Sequence, residues 1–273
     1  MVVLIAVVII GIIGYAVTGF AYASTRVAST DRTLNTVISH QNTLNTTFKN
    51  IDGEFSALSA STSFNSALAR SVADEFVASA TKAHTTVNLD DASLATASTS
   101  LDDRRWLTVF SQSLIDKEAG RVTHARKALA DARTIAGDYV LDGQFLQAFI
   151  DATADRDTLA AQTSSPDLAA ASSTVVTMKS DVDKALRLST APALPPDLHA
   201  LMNDFETLVA DFGKLITAAH ATDDRGITSA ATTVQADSDK ISGYNYNKIS
   251  ADIDNYYQPL VADFNSQMAA ATA

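Results

Sequence analysis

The alternation of hydrophobic and polar positions begins only after the first two dozen residues. Residues 2–23 contain no charged side chain and are almost continuously apolar, whereas apolar and polar positions are mixed after Ser24. An apolar run of about 20 residues is long enough to cross the hydrocarbon core of a bilayer as a helix. The pattern therefore predicts a transmembrane anchor over residues 1–23.

The same segment ends in a sequence that a signal peptidase could cut. Ala21-Tyr22-Ala23 has the small-x-small form of a cleavage site. A signal peptide has a shorter apolar stretch, of roughly 7–15 residues, behind a basic region. No Lys or Arg precedes Arg26 here. These features favour an uncleaved anchor, with secretion after cleavage at Ala23 as the alternative.

Charges beside the span bear on which side of the membrane the body occupies. Arg26 and Arg32 follow the span, and positive residues near a span tend to stay in the cytoplasm. Asp31 partly offsets them, so this charge signal is small. The Ser-, Thr- and Ala-rich remainder is more typical of an exported protein. We expect a single-pass protein of the cell membrane with an extracytoplasmic body.

The clearest helical pattern follows the span directly. Eight positions spaced alternately by three and four residues form one face of a long helix: Leu34, Val37, Gln41, Leu44, Phe48, Ile51, Phe55 and Leu58. Such a stripe could form a coiled-coil dimer or the first helix of an intramolecular bundle. The two phenylalanines are bulky for a two-stranded seam, and flanking charge pairs are missing. The pattern favours the bundle, with self-association through this helix as the alternative.

Helical periodicity continues to the C-terminus without sustained strand-like alternation. It predicts an all-α, up-down bundle of six to eight helices. In this interpretation the second helix ends near His84, with a connection at 88–91. A long third helix ends at Gly137, and a shorter one covers 140–159. Later boundaries are predicted around Pro166, in the proline-rich stretch 189–196, at 222–224 and at Gly243, with a kink or end at Pro259.

A short similarity within the chain suggests two stacked bundles. Residues 76–84 and 212–220 share a Phe and an Ala-His pair at the same offsets, and an Asp-Asp pair follows each segment. Duplication and chance resemblance of Ala-rich helix ends both explain this. We predict three parts: the anchor over 1–23, a first helical bundle over 24–163 and a second over 164–273.

Composition limits the possible functions. Hydrophobic residues make up 47% of the 273 residues, which is enough for a core. The net charge of -11 disfavours nucleic acid as a partner. The absence of cysteine excludes disulfides and thiolate chemistry. Because catalytic, phosphate-binding and metal-binding motifs are also missing from the sequence, we expect a protein that is not an enzyme and has no cofactor or metal.

Two aromatic groups remain as candidate ligand-binding residues. Trp106 stands beside Arg105, a pairing found in binding hot spots, and Tyr246 and Tyr257 belong to an Asn- and Tyr-rich C-terminal segment. Packing into the core is the competing explanation for both groups. The sequence thus predicts a membrane-anchored surface interaction or structural protein. The alternative is an extracytoplasmic small-molecule-binding or sensory helical bundle.

Overall fold

The computed structural model of the chain describes residues 25–59, 65–103, 112–163 and 167–273. Within these ranges the regular structure consists of seven helices and no strands: α1 (Thr25–Ser59), α2 (Ser66–Asp102), α3 (Gln112–Thr163), α4 (Leu168–Leu188), α5 (Pro196–His220), α6 (Asp224–Ser242) and α7 (Tyr246–Thr272). The predicted all-α bundle is confirmed for this part of the chain. The predicted anchor over 1–23 lies outside the described residues. None of the described helices is both long and apolar enough to span a membrane.

The described residues form two compact units. Unit 1 contains 54–59, 65–77, 140–163 and 167–253, whereas unit 2 contains 25–53, 78–103, 112–139 and 254–273. Helices α4, α5 and α6 lie wholly in unit 1, and the other four contribute residues to both units. The predicted boundary between residues 163 and 164 adjoins undescribed residues 164–166 and stays a prediction.

The predicted stripe of α1 is buried within its own chain. Seven of its eight positions have exposed fractions of 8% or less, and only Leu58 is half-buried. In unit 2 the stripe belongs to a core that also contains buried apolar residues of α2, α3 and α7: Val87, Leu94, Leu101, Ile115, Val122, Leu129, Phe264 and Met268. Burial of this apolar area stabilises the helices, whose Ser- and Thr-rich sequences are weak helix formers by themselves.

The core of unit 1 is built around α5. Its broad apolar face packs with Met178 and Val182 of α4 and with Phe145 and Phe149 of α3. Phe149 meets Phe205 of α5 edge-to-face, with ring centroids 5.7 Å apart. Edge-to-face aromatic pairs of this kind add to the free energy gained from burial alone.

The predicted breaks inside α2 and α3 are wrong. Residues 88–91 continue α2, and Gly137 lies inside the 52-residue helix α3. The polar residues at 88–91 contact neighbouring helices instead of capping helix ends. Gly143 of α3 allows a close approach to α2, because a Cβ at this position would lie 2.6 Å from Val77 Cγ2.

Other predicted boundaries are confirmed. Asp167 is the N-cap of α4 and accepts a hydrogen bond from Ala170 N at 3.0 Å. Helix α5 begins at Pro196, after the proline-rich turn, and Gly243 caps the end of α6. Pro259 lies inside α7, which continues to Thr272, so of the two predicted outcomes at this proline the helix end is wrong and the kink stays a prediction.

Candidate functional site

Two of the four residues predicted to bind a ligand belong to the part of the chain that the structure describes. Arg105 and Trp106 lie outside the described residues. Tyr257 belongs to unit 2 and Tyr246 to unit 1. Each tyrosine is therefore described within its own unit.

Tyr257 is a core residue of unit 2. Only 1% of it is exposed, and its ring meets Tyr139 edge-to-face at a centroid distance of 4.9 Å. It also meets Tyr256 edge-to-face at 5.1 Å. Tyr256 reaches a polar partner, because its hydroxyl donates to Asp138 Oδ2 at 2.9 Å. This cluster corresponds to the packing interpretation of the C-terminal tyrosines.

Tyr246 lies at the start of α7, beside the end of α6. Its half-buried hydroxyl donates to the Ile241 carbonyl oxygen at 3.3 Å, and burial raises its pKa. The neighbouring Tyr244 donates to Asp204 Oδ2 at 2.7 Å. Burial and the Asp204 carboxylate raise the pKa of Tyr244 to about 12. Both hydroxyls therefore remain protonated donors. Tyr244 joins the turn after α6 to α5, and Tyr246 joins the start of α7 to α6.

A buried polar group interrupts the apolar core of unit 2. Gln41 is fully buried, and its Nε2 donates to Asp90 Oδ2 at 3.3 Å. His40 Nδ1 lies 2.8 Å from Asp90 Oδ1. Burial raises the pKa of Asp90, and the interaction with His40 opposes that rise. Sequence analysis placed Gln41 on the stripe, but it assigned Asp90 to a connection and so missed this pairing between α1 and α2.

The cavity beside Gln41 is small. It measures about 20 Å³ and is lined mainly by apolar side chains, together with Gln41 and Tyr139. Gln41 Oε1 is buried and has no hydrogen-bond partner among the described residues. A cavity of this size accommodates about one water molecule.

An arginine joins three helices of unit 2 near the start of α1. Arg121 Nη1 donates to Asp31 Oδ1 at 2.7 Å and to Glu118 Oε2 at 2.8 Å. Its Nε donates to the Ala271 carbonyl oxygen of α7 at 2.8 Å. Burial raises the pKa of Glu118, whereas the Arg121 guanidinium lowers it. The arrangement fixes α1 against α3 and α7.

Carboxyl groups on neighbouring helices form a second kind of polar contact. Asp131 of α3 is hydrogen-bonded to Asp263 of α7. In unit 1, Asp237 of α6 is hydrogen-bonded to Asp211 of α5, and burial raises the pKa of Asp237. Carboxyl pairs of this kind keep a proton to a higher pH than isolated carboxylic acids do.

Two acids of α4 that lie two residues apart have different surroundings. Asp183 is solvated, since its exposed carboxylate pairs with Lys179 at 2.8 Å. Asp181 faces other acids, because burial and the nearby Asp151 carboxylate raise its pKa. The register between helices decides which acid of such a pair faces a neighbour, and a single sequence does not contain that information.

The surface of α6 carries an open hollow of about 610 Å³. All six lining residues are exposed: Asp224, Arg225, Thr228, Ser229, Thr232 and Thr233. Several of the hydroxyls donate back to carbonyl oxygens one turn earlier, as Thr228 does to Asp224 at 2.8 Å. No group of three or more His, Cys, Asp or Glu side chains that could hold a metal ion occurs among the described residues.

Comparisons with protein-family models, curated proteins and solved structures give no match.

Proposed function

We propose that this chain is a membrane-tethered helical-bundle protein of the cell surface, with a non-enzymatic body that acts as a structural or interaction element. The observation that carries the proposal is how the C-terminal aromatic side chains are used. Tyr257 packs in the core of unit 2 against Tyr139 and Tyr256, and the Tyr246 hydroxyl donates to the Ile241 carbonyl oxygen of α6. These contacts support a packing role for the residues that were candidates for holding a ligand.

The helix lengths support a structural role. Helix α3 has 52 residues, so at 1.5 Å per residue it is about 78 Å long. It contributes buried side chains to the cores of both units, including Leu129 and Phe149. Packing of these helices within each unit supports a structural role.

The contacts at the start of α1 would connect the proposed tether to the body. Helix α1 begins at Thr25, immediately after the predicted anchor over 1–23. Asp31, only two turns into the helix, pairs with Arg121 of α3. A pull on the chain at residue 24 would therefore be transmitted to α3 through a half-buried ion pair as well as through apolar packing.

The proposal is tested with the full-length protein in mild detergent and on intact cells. Thermal unfolding, monitored by circular dichroism at 222 nm, should show no saturable rise in Tm when amino acids, organic acids or sugars are added. On intact cells, a membrane-impermeant amine cross-linker should join the chain to another protein chain in a discrete adduct.

Two results would contradict the proposal. A small molecule that raises Tm saturably would favour the sensory alternative, and Tyr246→Phe would show whether that hydroxyl takes part. If neither an external protease nor the cross-linker reaches the body on intact cells, the body does not lie at the cell surface. Asp157→Asn, a change of an exposed residue on α3, serves as the matched control for handling and folding.

A further inference from the structure

The buried stripe of α1 has one polar member, and a polar residue of α2 faces it. Gln41 is that member among the eight stripe positions, and it is fully buried. Its Nε2 donates to Asp90 Oδ2 at 3.3 Å, and His40 Nδ1 lies 2.8 Å from the other oxygen, Asp90 Oδ1. Only 4% of Asp90 is exposed. Two consecutive residues of α1 therefore engage both carboxylate oxygens of one buried acid on α2.

Asp90 has the corresponding place on α2. Within residues 78–103 the buried positions follow a heptad spacing, and all except Asp90 are apolar: Ala80, Ala83, Val87, Asp90, Leu94 and Leu101. Each of the two helices thus has a heptad stripe with a single polar member in unit 2. The two polar members lie opposite each other and are hydrogen-bonded.

Apolar packing alone would allow more than one alignment of these two helices. The helices run antiparallel, since residues that follow Gln41 and residues that precede Asp90 line the same small cavity: Leu44, Phe48, Ala83 and Val87. A stripe that repeats every seven residues matches its partner again after a slide of one heptad. Such a slide moves one helix by about 10 Å along the other.

A slide of one heptad in either direction would separate the two polar residues. Gln41 would then face Ala83 in one direction and Ala97 in the other. Asp90 would lie opposite an apolar residue of the α1 stripe in both cases. A buried amide or carboxylate that loses its hydrogen-bond partner destabilises the folded state, because its desolvation is no longer compensated. Of these three alignments, the native one pairs the two groups.

We propose that the Gln41–Asp90 pair determines the register of α1 on α2, although two apolar residues at these positions would be at least as stable. In coiled coils a buried polar residue in a heptad stripe fixes the register while lowering stability. His40 completes the pairing from the edge of the core, since 46% of its side chain is exposed. The inference does not depend on the proposed function.

The alignment is measured by double electron–electron resonance on the full-length protein in detergent. The chain has no cysteine, so spin labels attach only at Thr36→Cys and Thr81→Cys, two exposed positions of unit 2. The labelled protein should give one narrow distance. Adding Gln41→Leu/Asp90→Leu should produce a second distance, displaced by up to about 10 Å, from chains in which α1 has slid by a heptad.

Exchange of the two residues is the matched control. Gln41→Asp/Asp90→Gln keeps an amide–carboxylate pair between α1 and α2, so the labelled protein should keep the single distance. Thermal unfolding of the unlabelled variants tests the pairing itself. Gln41→Leu alone and Asp90→Leu alone each remove one half of a buried pair. Each should therefore melt about 4 °C below the double leucine variant, in which both halves are apolar.

Three results would overturn the inference. The double leucine variant could keep the single narrow distance, which would mean that other contacts determine the register. The exchanged variant could show the second distance as well, although its polar pair is retained. Finally, the double leucine variant could melt at or below both single variants, which would mean that the two polar residues do not depend on each other.

Discussion

Gly143 should be intolerant of a side chain, although alanine is the better helix former. A Cβ at this position would lie 2.6 Å from Val77 Cγ2 and 2.8 Å from Phe76 Cδ1. Val77 is β-branched and stiff at χ1. Phe76 is 1% exposed and meets Phe55 edge-to-face at 6.4 Å. Neither side chain can yield without disturbing the core of unit 1.

The magnitude follows from two opposing contributions. Replacing glycine by alanine inside a helix stabilises by up to about 1 kcal/mol, whereas forcing an extra carbon into a packed core costs about 1–3 kcal/mol. Gly120 lies in the same helix with open space around its position, so Gly120→Ala measures the helix contribution alone. Gly143→Ala should therefore be less stable than Gly120→Ala by about 1–3 kcal/mol.

The assay is thermal and urea unfolding of the full-length variants in detergent, followed by circular dichroism at 222 nm. A difference of about 2 kcal/mol corresponds to roughly 4–8 °C in Tm for a body of this size. Gly120→Ala should melt above the unmodified protein and Gly143→Ala below it. Equal stabilisation by both changes would refute the close approach of α2 and α3 at Gly143.

Three further changes test other contacts by the same unfolding measurements. Asp167→Ala should cost about 1 kcal/mol by removing the N-cap of α4, whereas Asp223→Ala should cost less, because Asp223 makes no capping hydrogen bond. Equal losses would contradict this difference. Tyr257→Ala should cost about 3–5 kcal/mol, because it empties a core position, and a loss below 1 kcal/mol would contradict its burial. Asp91→Asn should lower the free energy of unfolding by about 1 kcal/mol at pH 7. Burial raises the pKa of Asp91, but its two arginine partners lower it further, so this loss should shrink as the pH falls below 3.8. A loss that persists at pH 3 would contradict the ion pairing.

The sequence predicts those elements whose burial and periodicity coincide. The stripe of α1 could be identified because nearly every buried position is apolar and follows helical spacing. The boundaries at Pro196 and Gly243 are set by local backbone chemistry, which a sequence displays directly. These features do not depend on which helices become neighbours.

The predictions fail where polar residues or glycines lie within a helix and face a neighbouring helix. Asp90 and Asp91 are good capping residues, yet they contact α1 and α3 from within α2. Gly137 is a good helix stop, yet α3 passes through it. The Asp-Asp pair at 223–224 does begin a helix, so the two parts of the suggested repeat have different structures. A local signal cannot distinguish a cap from a contact whose partner is distant in sequence.

The candidate site was predictable only in part. The packing of Tyr257 was one of two interpretations that the sequence left open. The carboxyl pairs depend on the register between helices, as Asp131 of α3 and Asp263 of α7 do from more than 100 positions apart in the chain. No spacing rule within one helix contains that register.

The most direct test of the claim that the body is tethered is an intact-mass measurement. The protein is recovered separately from the membrane and medium fractions of the cells that produce it. We predict the full-length mass in the membrane fraction, with residues 1–23 retained as the anchor. A mass that begins at Ser24, found in the medium, would mean that Ala21-Tyr22-Ala23 is a cleavage site and would contradict the tether.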